Sequence, residues 1–88
     1  MKSKDLNGKK NIVGNNLKKY REIKGLSQRD VCKKLELLGL QIYNSDIHYM
    51  EHGKKPIKDY EAKALSIALG ITLEQMYEDT DKDFEYNN

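Results

Sequence analysis

Eighty-eight residues make one small domain, near the lower end of what folds unaided, and a single cysteine excludes an internal disulfide or a cysteine-built zinc site. Apolar runs never exceed a few residues, as at Leu37-Leu38, so neither a membrane span nor a signal peptide is expected. The net charge of +2 divides into +8 over residues 1–34 and −6 over residues 35–88, which suggests a basic side facing a polyanion and an acidic end facing away.

Residues 1–11 have no apolar period and read as a flexible basic arm. From Ile12 the pattern becomes helical, with Val13, Leu17 and Tyr20 on one face and Lys18, Lys19 and Lys24 off it; Gly25 supplies the stop. Ser27 is a good N-cap for the second helix, with Asp30 three residues on as a short capping-box acid. Val31, Cys32, Leu35 and Leu38 follow as its buried stripe, and Gly39 ends it. The lone Cys32 on that stripe reads as a buried, inert thiol and suits a reducing cytoplasm of bacterial or phage type.

The third helix spans about Asn44 to His52 and stops at Gly53, with Ile47 and Met50 inward and Asn44, Ser45, His48 and Tyr49 on its outer and flanking faces. Lys54-Lys55-Pro56-Ile57-Lys58 is a loop, because proline disfavours helix at the residue before it. Asp59 can cap a fourth helix whose inner stripe is Ala62, Leu65, Ser66 and Leu69, ended by Gly70. Thr72 to Gln75 is a capping box opening a short fifth helix, with Leu73 and Met76 inward and Tyr77 beside them. Residues 78–88 are acidic and aperiodic and read as a solvated tail. The expected architecture is all-α, a compact bundle of five short helices, with residues 12–77 as the domain proper. Most of the six tyrosines are expected in the core or at an interface.

Two short helices in succession, the second closed by a glycine and then lysines, is how a helix-turn-helix reads in sequence. The order Arg21, Gly25-Leu26-Ser27-Gln28, Ile47, Glu51, Gly53 resembles the phage repressor/Cro-type helix-turn-helix family, also called the xenobiotic-response-element family. The resemblance covers roughly Ile12 to Tyr77 and implies a lambda repressor-like DNA-binding domain that puts its third helix into the major groove. By match to the family pattern, Gln28 donates to a phosphate and steadies the first reading residue. Asn44, Ser45 and Tyr49 fall where base edges are contacted, with Tyr43 just ahead and His48 beside them. Lys54, Lys55 and Lys58 fall where backbone contacts are made. Arg21 and Glu51 are implied as a largely buried ion pair, a structural feature rather than a site.

This sequence departs from the family pattern at two places. Asp46 stands where Ser or Thr is common. Glu36 to Gln41 adds about one helical turn plus a residue, at ~3.6 residues per turn, and most simply lengthens the second helix and the turn. His48-Tyr49-Met50-Glu51-His52 also spells the His-x-x-Glu-His of inverted zinc peptidases. A chain this short has no room for a cleft around that helix, and Glu51 is taken by Arg21, so the match reads as accidental.

These readings converge on a sequence-specific DNA-binding transcriptional regulator in the cytoplasm, a repressor acting by operator occupancy. The expected partners are double-stranded DNA and a second copy of the chain, docked through Leu73, Met76, Tyr77, Phe84 and Tyr86. No membrane, small-molecule effector, cofactor, metal or catalytic residue is expected. The alternative is a protein-interaction module, an antitoxin-like helical adaptor without base readout, favoured by Asp46 and the acidic second half.

Overall fold

Capping chemistry sets the helix boundaries. The computed structural model describes residues 5–84, which form α1 (Gly14–Ile23), α2 (Gln28–Leu37), α3 (Asn44–Glu51), α4 (Asp59–Leu69), α5 (Leu73–Met76) and a terminal 3-10 turn over Asp81–Asp83. Among the described residues no strand forms beyond an isolated bridge between Leu6 and Lys9. At the start of α2 the Asp30 amide donates to Ser27 Oγ at 3.0 Å, and Asp30 Oδ2 accepts from the Ser27 amide at 2.9 Å. Thr72 and Gln75 make the same reciprocal pair at α5, at 3.0 and 2.9 Å. Gly25, Gly39, Gly53 and Gly70 follow the ends of α1 to α4, all with positive φ.

Two boundaries differ from expectation. α1 begins at Gly14 rather than Ile12, because Asn11 Oδ1 accepts from the Val13 and Gly14 amides at 3.0 and 2.7 Å and holds the chain out of helix until then. The N-cap of α4 is Lys58, whose amide donates to Glu61 Oε1 at 2.8 Å, so Asp59 is the first helical residue and not the cap.

Every helix contributes to one core. Leu17 of α1, Val31 and Leu35 of α2, Ile47 and Met50 of α3, Leu65 of α4 and Met76 of α5 are wholly excluded from solvent. Burying each such side chain is worth about 1.5–3 kcal/mol against exposure. Ala62, Ser66 and Leu69 complete the inner face of α4 as the periodicity predicts. Leu38 does not join the stripe: the chain turns at Gly39, leaving Leu38 exposed, while Leu40 packs against the core in its place. Cys32 is half-buried rather than buried, and its partial burial together with the Asp46 carboxylate pushes its thiol pKa up, which disfavours the thiolate. Of the tyrosines among the described residues, Tyr20 alone is core; Tyr43, Tyr49, Tyr60 and Tyr77 are exposed. In the one-turn α5 only Met76 inserts, leaving Leu73 and Tyr77 43 % and 42 % exposed.

The described residues outside 12–77 are not free of the body. Residues 1–4 of the arm and 85–88 of the tail, with Tyr86, lie outside the described residues. Residues 5–11, expected as a loose arm, turn at Asn7-Gly8 and dock: the Lys10 amide donates to the Gly53 carbonyl at 2.8 Å, and Lys9 Nζ meets the buried Asp83 carboxylate at 2.6 Å. Asn7 Nδ2 reaches the Asp83 carbonyl at 2.8 Å. The front of the tail docks in turn. Asn16, buried on α1, donates to the carbonyls of Met76 and Glu78 at 2.8 and 2.9 Å. The Glu78 carboxylate accepts from Lys19 Nζ and the Tyr20 hydroxyl, hydrogen bonds that hold its pKa below the usual value. An aperiodic, charged sequence concealed these contacts because each partner lies far away along the chain.

Gly14 lets α1 start close against the end of α3. A Cβ there would overlap the Met50 carbonyl oxygen and stand 3.1 Å from that of Glu51. Both obstacles are backbone, so Gly14→Ala must shift one helix against the other. The expected loss is about 1–3 kcal/mol, in the overpacking range, read as a lower urea midpoint. An unchanged midpoint would show that the two helices can separate freely.

Candidate functional site

α3 is built as a two-faced element. Ile47, Met50 and Glu51 point into the protein, whereas Asn44, Ser45, His48 and Tyr49 are exposed along the opposite side, with Tyr43 61 % exposed just before them. Its start is secured by Asp46, whose Oδ2 accepts from the Tyr43 amide at 3.0 Å. Asp46 also lies 3.8 Å from the Lys55 ammonium. The carboxylate that departs from the family pattern thus has two local partners, the helix start and a lysine of the following loop.

The inner end of α3 is held by an ion pair at hydrogen-bond distance. Arg21 Nε and Nη2 donate to the two Glu51 oxygens at 2.6 and 3.1 Å, and Arg21 Nη1 donates to the Leu26 carbonyl at 2.9 Å. The Glu51 side chain is 1 % exposed and that of Arg21 13 %. The hydrogen bond to Glu51 pushes the Arg21 pKa above its already high value, so the guanidinium stays charged. Gln28, at the first position of α2, adds a third donor to Glu51 through Nε2 at 3.1 Å. Its Oε1 then faces Asn44, whose Nδ2 stands 3.4 Å away, a long and weak hydrogen bond. A chain of contacts therefore runs from α1 through the buried carboxylate and Gln28 to the first exposed residue of α3.

The expected site residues divide accordingly. Gln28, Tyr43, Asn44, Ser45, His48 and Tyr49 belong to α3 or touch it, and Lys55 is joined to it through Asp46. Lys54 is exposed where the chain leaves Gly53. Lys58 stands apart at the start of α4, its ammonium 5.7 Å from the centre of the Tyr60 ring. Sequence reasoning passed over Arg29 and Lys33, which with Glu36, Ile42, Tyr43 and Asn44 among others line a groove of about 360 Å³ beside the start of α3. Their basic character next to Gln28 was the available signal. Reasoning also passed over Asn11, which bridges the Met50 and Lys55 carbonyls through Nδ2 at 3.0 and 2.8 Å and fixes the loop carrying Lys54 and Lys55.

Glu51 is turned away from the two histidines' exposed face: its side chain is 1 % exposed and its oxygens accept from Arg21 and Gln28. Among the described residues no cluster of three or more His, Cys, Asp or Glu is placed to hold a metal. No helix among them is long and apolar enough to cross a membrane. The chain matches no protein-family model and no curated protein.

Removing the Glu51 carboxylate leaves the Arg21 charge and a Gln28 donor without a partner in a largely dry setting. Glu51→Ala is expected to cost about 3–5 kcal/mol of stability in chemical denaturation, the range for breaking one side of a buried pair. A loss below about 1 kcal/mol, as for surface pairs, would show that the pair is solvent-screened.

Proposed function

We propose that this chain is a sequence-specific DNA-binding regulator in which α2, residues 38–43 and α3 act as a helix-turn-helix, repressing by occupancy of its operator in a bacterial or phage-type cytoplasm. The observation that carries the reading is the exposed polar edge Asn44-Ser45-His48-Tyr49 on a helix anchored from behind by Ile47, Met50 and Glu51. A major groove admits one α-helix, and base edges there are read by such groups: asparagine pairs with adenine N6 and N7, serine donates or accepts, and a tyrosine ring meets a thymine methyl or a sugar. Gln28 accepts a weak hydrogen bond from Asn44 and keeps one Nε2 hydrogen, beyond the one given to Glu51, for a phosphate, while Lys54 and Lys55, with Lys58 further along, supply further phosphate contacts. Part of what favoured an adaptor has structural partners of its own. Asp46 caps α3, and Glu78 and Asp83 are engaged by Lys19 and Lys9.

Selection of bound fragments from randomised duplexes, followed by titration at several salt concentrations, tests the reading. The wild type is expected to favour its selected site over random duplex by about 10³-fold or more. Lys54→Glu with Lys55→Glu should weaken binding to all duplexes and flatten the salt slope by about one unit per lost phosphate contact. Asn44→Ala or Tyr49→Ala should lose about 1–3 kcal/mol of discrimination at particular base pairs with the fold intact. No site preference, and a salt slope indifferent to the lysines, would leave the antitoxin-like adaptor as the better reading.

A two-fold pair would set two such helices about 34–36 Å apart, one turn of DNA, and we infer a homodimer docked through the exposed Leu73, Tyr77 and Phe84. Met76 cannot belong to that surface, being wholly buried, so its substitution reports folding instead. Sedimentation equilibrium of the wild type against Leu73→Asp with Tyr77→Asp is the direct comparison. A dimer that dissociates in the variant is expected, and a wild type monomeric even on its selected site would refute the pair.

A further inference from the structure

His48 and His52 stand four residues apart, one on α3 and one at its C-cap, and both are exposed. Their ring centroids are 4.4 Å apart with 40° between the planes. His52 Nδ1 lies 2.8 Å from the His48 carbonyl oxygen. A carbonyl can only accept, so in the neutral ring this contact places the proton on Nδ1 and leaves Nε2 its lone pair. Engaging one ring nitrogen with a backbone carbonyl is how metal-ligating histidines are commonly oriented, with the other nitrogen left to the metal. On the other side the Tyr49 ring stands edge-on to His48 at 5.5 Å and 73°, which limits the swing of that imidazole.

We propose that His48 and His52 form a two-point chelate for a divalent transition metal of the Ni²⁺ or Cu²⁺ class on the outer face of α3. A ring nitrogen lies about 1.2 Å from its ring centre, so a metal about 2.0–2.1 Å from each nitrogen stands about 3.2 Å from each centre. Two bonds at 90° then place the centres about 4.5 Å apart, and two at a tetrahedral angle about 5.2 Å apart. The observed 4.4 Å is close to the right-angled value, the cis arrangement that square-planar or tetragonal Ni²⁺ and Cu²⁺ favour. Neutral imidazoles suit these ions, and water fills the remaining positions. Glu51, the residue between them that a peptidase would use to activate water, is turned inward onto Arg21, so the site binds without hydrolytic chemistry.

Calorimetric titration of the untagged full chain with Ni²⁺ tests the chelate; Ni²⁺ does not oxidise the Cys32 thiol as Cu²⁺ would. One ion per chain is expected. His48→Gln and His52→Gln should each weaken binding about tenfold or more, at least the loss seen when only an outer partner of a metal ligand is removed. The double variant should lose little further, because a chelate fails as a unit. Cu²⁺ bound to a Cys32→Ser chain should show two equivalent imidazole nitrogens in its electron paramagnetic resonance spectrum, lost in the double variant. A double variant that binds Ni²⁺ like the wild type, or single variants each losing only about twofold as two independent histidines would, overturns the proposal. Helix content measured in parallel confirms that the exposed substitutions leave the fold intact. The titration is read on the protein alone and so succeeds or fails apart from any binding of DNA.

Discussion

A carboxylate held almost out of water at the end of α3 must be neutralised, and how Glu51 is neutralised fixes much else in this protein. Its oxygens take three donors from two other helices, Arg21 of α1 and Gln28 of α2. An ion pair this dry gains little net stability over well-packed apolar residues, because desolvation offsets the Coulomb attraction. What it supplies is registry, since three helices share one carboxylate with directional bonds. Ile47 and Met50 provide the apolar adhesion; Glu51 decides the rotation at which α3 sits. That rotation turns Asn44, Ser45, His48 and Tyr49 outward together.

The same end of α3 is fixed by backbone contacts that involve no charge. Gly14 lets α1 begin against the Met50 and Glu51 carbonyls, and Asn11 uses its amide to hold Met50 and Lys55 while its oxygen starts α1. Orphan groups at one helix end and at another helix start are thus satisfied by a single side chain. The lysine loop after Gly53 inherits its position from this arrangement. Rigid backing of this kind lets exposed side chains meet a partner without paying to order the scaffold behind them.

The two ends of the described chain close on each other through Lys9 and Asp83, and the acidic segment folds back on α1 through Glu78. The charge asymmetry of the sequence is therefore partly cancelled inside the structure. Acidic groups of the second half lie against basic groups of the first, while Lys54 stays exposed beside α3. Net charge by halves described the composition correctly and the surface only in part.

Much of the local structure was legible in the residues alone. Ser27 with Asp30, Thr72 with Gln75, and the glycines that follow α1 to α4 act within a few residues of themselves, so no tertiary knowledge was needed to place those boundaries. Periodicity likewise identified Leu17, Val31, Leu35, Ile47, Met50 and Leu65 as core, because a helix has one inward face. The Arg21–Glu51 pair and its burial were legible only through family resemblance, since nothing local joins residues thirty positions apart. Tertiary structure alone decided that Asn11 is a clamp and not part of an arm, that Asp83 is buried, and that Leu38, Leu73 and Tyr77 face out. It also decided that Met76 is core and not interface. In each case the outcome depends on a surface assembled from distant segments: a polar residue looks solvated until its partners are known, and an apolar one looks buried until the neighbouring turn takes its place.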